Sequence, residues 1–287
     1  MRLKIFSCHH LRPEFTCNTE IFQTLVSNLP EPEDGSFMSD LNGINIAGDN
    51  LYSEMRHQFY VWKNLLDRYD HIGFEHYRRP FFIDTLPSSR LAAEFPEVWM
   101  ARVLFRTIDK VGLLRSPERF EQYLAMRRSL DPEAIAHLTR WLRGYDIVVP
   151  KPTIRNIEEQ WKSCFEDDIY WNTLVDGINA SQLFKARTGR IYYQMEFCYF
   201  ANMYIMRSEL LDEYLTFCFE VLEFCRSRLV LKGRALGYFS ERLFSFWLYD
   251  KRIENPTMRV LELPFLMLRP PGSAEGVEAS KAAAPLI

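Results

Sequence analysis

"GFEHYRRP", residues 73–80, follows SEMRHQFYVWKNLLDRY (53–69), and this junction decides how the chain is read. In the longer segment Met55, Phe59, Trp62, Leu65 and Leu66 recur at spacings of three to four, the apolar stripe of an amphipathic helix. HIGFEHY (71–77) then becomes a short apolar run, which predicts a buried strand. Upstream, LKIFSC (3–8) predicts a first strand, TEIFQTLVSNL (19–29) has helix-compatible spacing, and EPEDGS (31–36) is a loop. Strand, helix, loop, helix, strand is the opening of an α/β sheet.

Further along, residues 88–144 predict a charged helical insertion. Within it, SPERFEQYLAMRRSL and DPEAIAHLTRWLRG each open on an N-cap residue followed by proline. YDIVVP (145–150) predicts a short strand, and NIEEQWKSCFEDDIYWNTLVDGI (156–178) a helical segment. EFCYFANMYIMR (196–207) predicts one long buried strand, and SELLDEYLTFCFEVLEFCRSRL (208–229) a helix capped by Ser208. ALGYFSERLFSFWLYDK (235–251) predicts another helix and RVLELPFLML (259–268) a last strand. The Ala, Gly and Ser-rich end, 271–287, predicts a disordered tail beyond a single domain of residues 1–270.

The composition is that of an ordinary globular chain: 287 residues, 47% hydrophobic and 25% charged. A net charge of -3 gives no overall footprint for nucleic acid, so any anion site must be local. Cys8, Cys17, Cys164, Cys198, Cys218 and Cys225 form no C-x-x-C pair, which argues against a disulfide framework or structural zinc. The N-terminus MRLKIFSCHH is too short in its apolar part for a signal peptide. No apolar run reaches the ~18 residues of a membrane span. The expected compartment is a reducing cytoplasm, with peripheral association at the inner face of a membrane left open.

At the end of the 71–77 strand stand Glu75, His76, Tyr77, Arg78 and Arg79. Ligands of open α/β sheets bind at such carboxyl ends. A guanidinium fork matches phosphate oxygens, and Tyr77 can stack on a base or sugar; the plainer alternative is ion pairs with surface acids. DLNGINIAGDNLYSE (40–54) adds an amide-rich loop with Asp40, Asn42, Asn45, Asp49 and Asn50, leading into a helix N-terminus. A solvated Asx-rich loop is the plainer reading there as well.

Taken in order, these blocks resemble a family of bacterial capsular and exopolysaccharide glycosyltransferases long catalogued as a domain of unknown function. The matching residues are Asp40, Gly43, Asn45-Ile46, Asn50, Glu54, Tyr60, Trp62-Lys63-Asn64, Gly73 and His76-Tyr77-Arg78-Arg79. YDIVVPK (145–151), NMYIM (202–206) and GYFSERL (237–243) follow in the family's sequence. The chain departs from the pattern at Cys164, where the family usually has a histidine, and at MRH after Glu54.

The resemblance implies a GT-A-like Rossmann-type sandwich that moves a sugar from a nucleotide-diphosphate sugar to a glycan or lipid-linked glycan acceptor. It implies Arg78 and Arg79 as a diphosphate clamp with His76 as a supporting catalytic donor, since cations can meet a departing phosphate without a metal. His9, with His10 as the other choice, falls to the nucleotide base. Asp40, Asn45, Asn50, Lys63, Tyr77 and Asn202 fall to the donor, with Glu54 bracing the loop. Asn202 is equally able to satisfy backbone groups. Glu241 is expected as acceptor base, with a salt bridge to Arg242 or Arg234 as its alternative, and Tyr238 and Arg242 as acceptor contacts. No cofactor is expected; Mg²⁺ or Mn²⁺ held by Glu75 and Asp84 is the alternative. Two other readings stay open: a phosphohydrolase using His9, His10 and His76 with a metal, and a non-catalytic binding module.

Overall fold

The computed structural model describes residues 2–83, 92–96, 99–100, 112–114, 116–165, 167–185 and 195–268. In chain order the strands are β1 (Leu3–His9), β2 (Phe22–Val26), β3 (Met38–Ser39), β4 (His71–His76), β5 (Gly112–Leu114) and β6 (Ile147–Pro150). They continue with β7 (Thr153–Ile154), β8 (Phe197–Cys198), β9 (Tyr204–Arg207), β10 (Val260–Leu263) and β11 (Leu266–Leu268). The helices are α1 (Met55–Leu65), α2 (Pro117–Arg128), α3 (Pro132–Leu142), α4 (Ile157–Cys164), α5 (Asp168–Ala180), α6 (Gln182–Lys185), α7 (Ser208–Arg226) and α8 (Ala235–Glu254).

Seven strands form one sheet in the order β10-β6-β9-β4-β1-β2-β3. β9 runs antiparallel to β4 and β6, and the other neighbours are parallel. Helices cover both faces, which explains why strand residues alternate between two cores. Phe6 and Cys8 of β1 join the core beneath α1, α7 and α8; Leu3 and Ile5 join the one beneath α2 and α3. β6 divides in the same way, Ile147 and Val149 against Val148. This is the α/β sandwich that the sequence predicts. Ser116 and Asp131 cap α2 and α3 through their side chains, as expected for that residue pattern. Among the described residues no helix is long and apolar enough to cross a membrane, and all six cysteines are free.

Several local expectations are corrected. Residues 22–26 form a strand: β2 pairs in parallel with β1 and is buried on both faces apart from Gln23, so FQTLV shows no period-two alternation to tell it from a helix. The 196–207 run is two strands, broken where Ala201 and Asn202 take left-handed φ values of 75° and 49°. Pro264, with no N–H to donate, separates β10 from β11. The 156–178 segment is two helices, the second capped by Asp167. Ser208 does not cap α7: its hydroxyl donates to the Tyr69 carbonyl at 2.6 Å. Gly237, inside α8, lets that helix approach the turn before α1, since a Cβ there would stand 2.6 Å from the Cβ of Ser53. The predicted tail lies outside the described residues.

Candidate active site

The carboxyl ends of β1 and β4 carry His9 and His76. Because β9 is antiparallel, its amino end, with Ala201 and Asn202 just ahead of it, arrives at the same edge. The start of α1 and the first turns of α8 close over that edge.

His76 ends β4 almost fully buried. Its Nε2 lies 3.3 Å from Glu54 Oε1, and the Arg78 amide reaches its Nδ1 at 3.5 Å. An amide can only donate, so Nδ1 is the bare nitrogen and Nε2–H donates to Glu54. Burial lowers the His76 pKa against the pull of Glu54, so the ring stays neutral and correctly tautomerised. The other oxygen of Glu54 accepts from Ser53 Oγ at 2.5 Å, and Ser53 itself has a left-handed φ of 49°. Burial pushes the Glu54 pKa up, but hydrogen bonds from His76 and Ser53 outweigh that and hold the carboxyl below its usual range.

Beyond His76 the chain turns back, Arg79 N–H donating to the His76 carbonyl at 2.8 Å. Tyr77 stands among three imidazoles, with ring centroids 5.5 Å from His9, 5.0 Å from His10 and 4.4 Å from His76. The Arg78 guanidinium carbon lies 5.6 Å from the Tyr77 ring. Among the described residues neither Arg78 nor Arg79 has a carboxylate within ion-pair distance, and the buried Nε of each lacks a partner. The expected alternative of surface ion pairs is therefore absent among the described residues. Burial lowers the Arg79 pKa, the charge of Glu241 opposing it. Two half-buried, uncompensated guanidinium groups form a local anion site on a chain with no overall positive charge.

Glu241 stands on α8 facing the same edge. Its Oε1 accepts the Ala201 N–H and its Oε2 accepts Arg242 Nη1, each at 3.0 Å. Burial raises its pKa, with Arg242 and Arg79 opposing and Glu54 adding to the shift. A carboxylate with raised proton affinity beside an anion site can take a proton from a hydroxyl.

Other expected site residues are committed elsewhere. Arg242 is buried, bonded to the Tyr238 carbonyl at 2.9 Å and to Gln160 Oε1 at 2.7 Å; it braces Glu241 and offers no face to an acceptor. Asn202 is 4% exposed, donating to the Gly237 carbonyl at 3.3 Å and accepting from Ser240 Oγ at 3.0 Å, so its amide is not free for a donor sugar. Asp40 is fully buried and accepts from Ser27 Oγ and the Asn28 amide. Asn45 ties its own loop, donating to the Leu41 and Gly43 carbonyls, each at 3.0 Å. Lys63 lies near the far end of α1, stacked on Trp62, away from His76. Tyr238 is partly buried beside Arg234, its hydroxyl accepting at 3.3 Å.

The metal alternative loses one of its ligands. Arg127 reaches Glu75 Oε1 at 2.7 Å and Oε2 at 3.2 Å, and the Phe81 amide donates to Oε2 at 3.1 Å. Asp84 lies outside the described residues. Asp167 caps α5 and Asp168 meets Lys162 at 3.7 Å, so that pair serves the helix.

Behind Glu54 a cavity of about 190 Å³ is lined by His10, Asn50, His57 and Arg234 among others. Asn50 Oδ1 there accepts from Arg56 at 2.9 Å. Neither His57 nor Arg234 was anticipated as a cavity residue. The buried position of His57, in the cavity wall, follows only from the contact of α1 with the β1 end, where its Nε2 meets the His9 carbonyl at 2.9 Å. A larger cleft, about 920 Å³, opens at the amino edges of the parallel strands, where Arg2 pairs with Asp70 and Arg207 with Asp146, while Arg143 in its lining meets no carboxylate among the described residues. The site is assigned to the carboxyl edge, where ligands of open α/β sheets bind and where Arg78 and Arg79, adjacent and unpaired among the described residues, stand by Glu241.

A family model described as "Domain of unknown function (DUF4422)" matches residues 4–252. A solved structure of the WbbM bifunctional glycosyltransferase in its apo form superposes with a TM-score of 0.69 at 19% identity. The match covers 96% of this chain and 48% of that one, so the chain spans about half the length of the protein it resembles. At that identity the likeness is one of fold. No curated protein matches the chain.

Proposed function

The chain belongs to the DUF4422 family, and from that premise we propose that it is a glycosyltransferase of surface polysaccharide synthesis, acting on the cytoplasmic side. It would move a sugar from a nucleotide-diphosphate sugar to a glycan or lipid-linked glycan. The observation that carries this reading is the pair Arg78 and Arg79, without carboxylate partners among the described residues, at the strand edge that also presents Glu241.

In the proposed step the acceptor oxygen bonds the anomeric carbon as the bond from that carbon to the phosphate oxygen breaks. The hydroxyl proton passes to Glu241. The electron pair leaves on the nucleoside diphosphate, where Arg78 and Arg79 meet the new charge through charge-assisted hydrogen bonds. Neutral His76, held by Glu54, fixes the backbone turn that presents both arginines. Tyr77 offers the face on which a base or sugar stacks, and His9 and His10 frame that face. Transfer on this arrangement is proposed to persist without a divalent metal.

The test is a thermal-shift screen of nucleotide sugars with and without Mn²⁺, followed by transfer assays with the ligands that stabilise. A ligand that binds only the folded chain raises its melting temperature by mass action. Stabilisation by one nucleotide sugar and transfer in EDTA support the reading; no stabilisation by any of them sinks it.

A further inference from the structure

Between α7 and α8 the chain runs RSRLVLKGR, residues 226–234, and no acidic residue occurs from Phe224 to Ser240. Arg226 is neutralised by Asp49 at 2.7 Å. Among the described residues Arg228, Lys232 and Arg234 meet no carboxylate: Arg228 lies over the Phe224 ring, its guanidinium carbon 3.5 Å from the centroid, and Arg234 donates to the Tyr238 hydroxyl. Both Arg228 and Lys232 are exposed. At the tip of the loop Val230 is 81% exposed, the most exposed large apolar residue among those described. The Tyr170 hydroxyl donates to the Val230 carbonyl at 3.1 Å, which brings Ile169, 54% exposed, beside the tip. Gly233 turns the chain at a φ of 61° with nothing within 4 Å of where its Cβ would be, so the loop projects into open space. Its last residue, Arg234, is exposed and lines the cavity behind Glu54, so the loop runs into the wall of that cavity.

We propose that the 226–234 loop docks the protein on an anionic lipid surface, Val230 entering the interface and Arg228 and Lys232 meeting the headgroups. A single exposed valine is unremarkable alone. Here it sits between cations that meet no carboxylate among the described residues, on a chain whose net charge of -3 would otherwise repel an anionic surface. Basic residues near such a surface act additively, and a small apolar group at the interface adds to them. The cavity that Arg234 lines is thereby brought near the bilayer, where a lipid-linked acceptor presents its glycan. Docking itself does not depend on the glycosyltransferase reading, since it needs no turnover.

The experiment is co-sedimentation of the full chain with vesicles of phosphatidylcholine alone and of phosphatidylcholine with phosphatidylglycerol. The expected result is binding to the anionic vesicles only, released by ~0.5 M salt because screened charges lose their reach. The double variant Arg228→Glu/Lys232→Glu is expected to bind about tenfold or more weakly. Val230→Asp is expected to weaken binding at unchanged melting temperature. Should a variant fold poorly, Val230→Ser and Lys232→Gln replace it, with the same direction expected. No sedimentation with either vesicle overturns the proposal. Equal binding by wild type and the double variant, or binding to phosphatidylcholine that ignores salt, overturns it too. Free inorganic phosphate at millimolar concentration should leave vesicle binding in place; competition by phosphate would mean a small anion site and not a lipid surface.

Discussion

The backbone N–H of Ala201 donates to Glu241 Oε1 at 3.0 Å, from a residue whose own φ is 75°. An alanine there is strained, and Asn202 beside it at 49° is strained as well. What keeps the pair in place is Asn202, whose amide spans two groups of α8 while its carbonyl accepts from Gln58 at 2.8 Å. Asn202 is therefore a positioning residue for Glu241. Asn202→Ala is expected to loosen the Ala201 donor and let burial raise the Glu241 pKa further. The acidic limb of the turnover profile then moves to higher pH. Asn202→Asp, which loses the bond to Gly237 and adds a carboxylate near Glu241, should move it in the same direction. An unchanged limb in Asn202→Ala would show the turn to be structural only; a carboxyl titration by NMR, assigned with Glu241→Gln, reads the same shift without turnover.

Arg78→Ala and Arg79→Ala are each expected to weaken nucleoside-diphosphate binding by about 1.5–3 kcal/mol, the scale of a charge-assisted hydrogen bond. That is roughly 10-fold to 150-fold in Kd, measurable by calorimetry. Neither guanidinium makes an ion pair among the described residues, so the melting temperature should hardly move. Normal nucleotide affinity in both variants would relocate the anion site.

Glu241→Gln keeps shape but removes the base, and it should cut turnover by about 10²-fold or more with donor affinity nearly unchanged. In the wild type the raised folded pKa means that the carboxylate form appears only above the ordinary 4.5 of glutamate. Turnover should thus fall on acidification at a higher pH than an exposed glutamate would give. A fully active Glu241→Gln variant removes this residue from the chemistry.

Stability should also fall with acid, through the histidines. Burial, reinforced by His57, His76 and His10, lowers the His9 pKa to about 3 from 6.5. Between those values the unfolded chain binds a proton that the folded chain refuses, so stability rises with pH across that window and is lost on going down it. The slope per such histidine is about 1.4 kcal/mol for each pH unit. His9→Phe should flatten the dependence of melting temperature on pH between about 6 and 4. An unchanged slope would assign it to other groups.

Arg127 and Glu75 are both nearly inaccessible, 1% and 3% exposed by side chain, and pair at 2.7 Å. Arg127→Met leaves Glu75 with one amide donor and no countercharge, and should cost about 3–5 kcal/mol in a denaturant melt. Replacing both, as Arg127→Met/Glu75→Leu, should recover much of that loss. A single variant as stable as wild type would mean that water reaches the site.

The elements legible in the sequence were those with one wet face or a clear terminus. α1 showed a stripe, and α2 and α3 their capped prolines; α8 was legible from the length of its apolar run. β2 was not legible, since burial on both faces erases alternation. The His76-Tyr77-Arg78-Arg79 block stood out as charges at a strand end, and Glu241 only through the family resemblance of GYFSERL. Lys63 misled for a geometric reason: nine residues of helix separate it from Glu54, about 13 Å at 1.5 Å per residue. Asn202 and Arg242 misled because residue type does not reveal which polar groups the fold has already paired. Arg127 carries no local signal at all; its partner Glu75 is 52 residues away.

The antiparallel β9 has a consequence for how the chain is made. Its register pairs Ile72 with Met206, more than 130 residues along the chain. β1 to β4 lie within the first 76 residues and can associate early as a half-sheet, but the β4 edge then has no strand to cover it. At ribosomal elongation rates of about 5–20 residues per second that edge waits on the order of ten seconds for its neighbour. Non-local pairing of this kind also slows refolding. Newly synthesised chains are therefore most vulnerable to edge-to-edge association in the interval before residue 207 emerges, and a chaperone that shields the β4 edge would raise the yield of folded protein without touching its final stability.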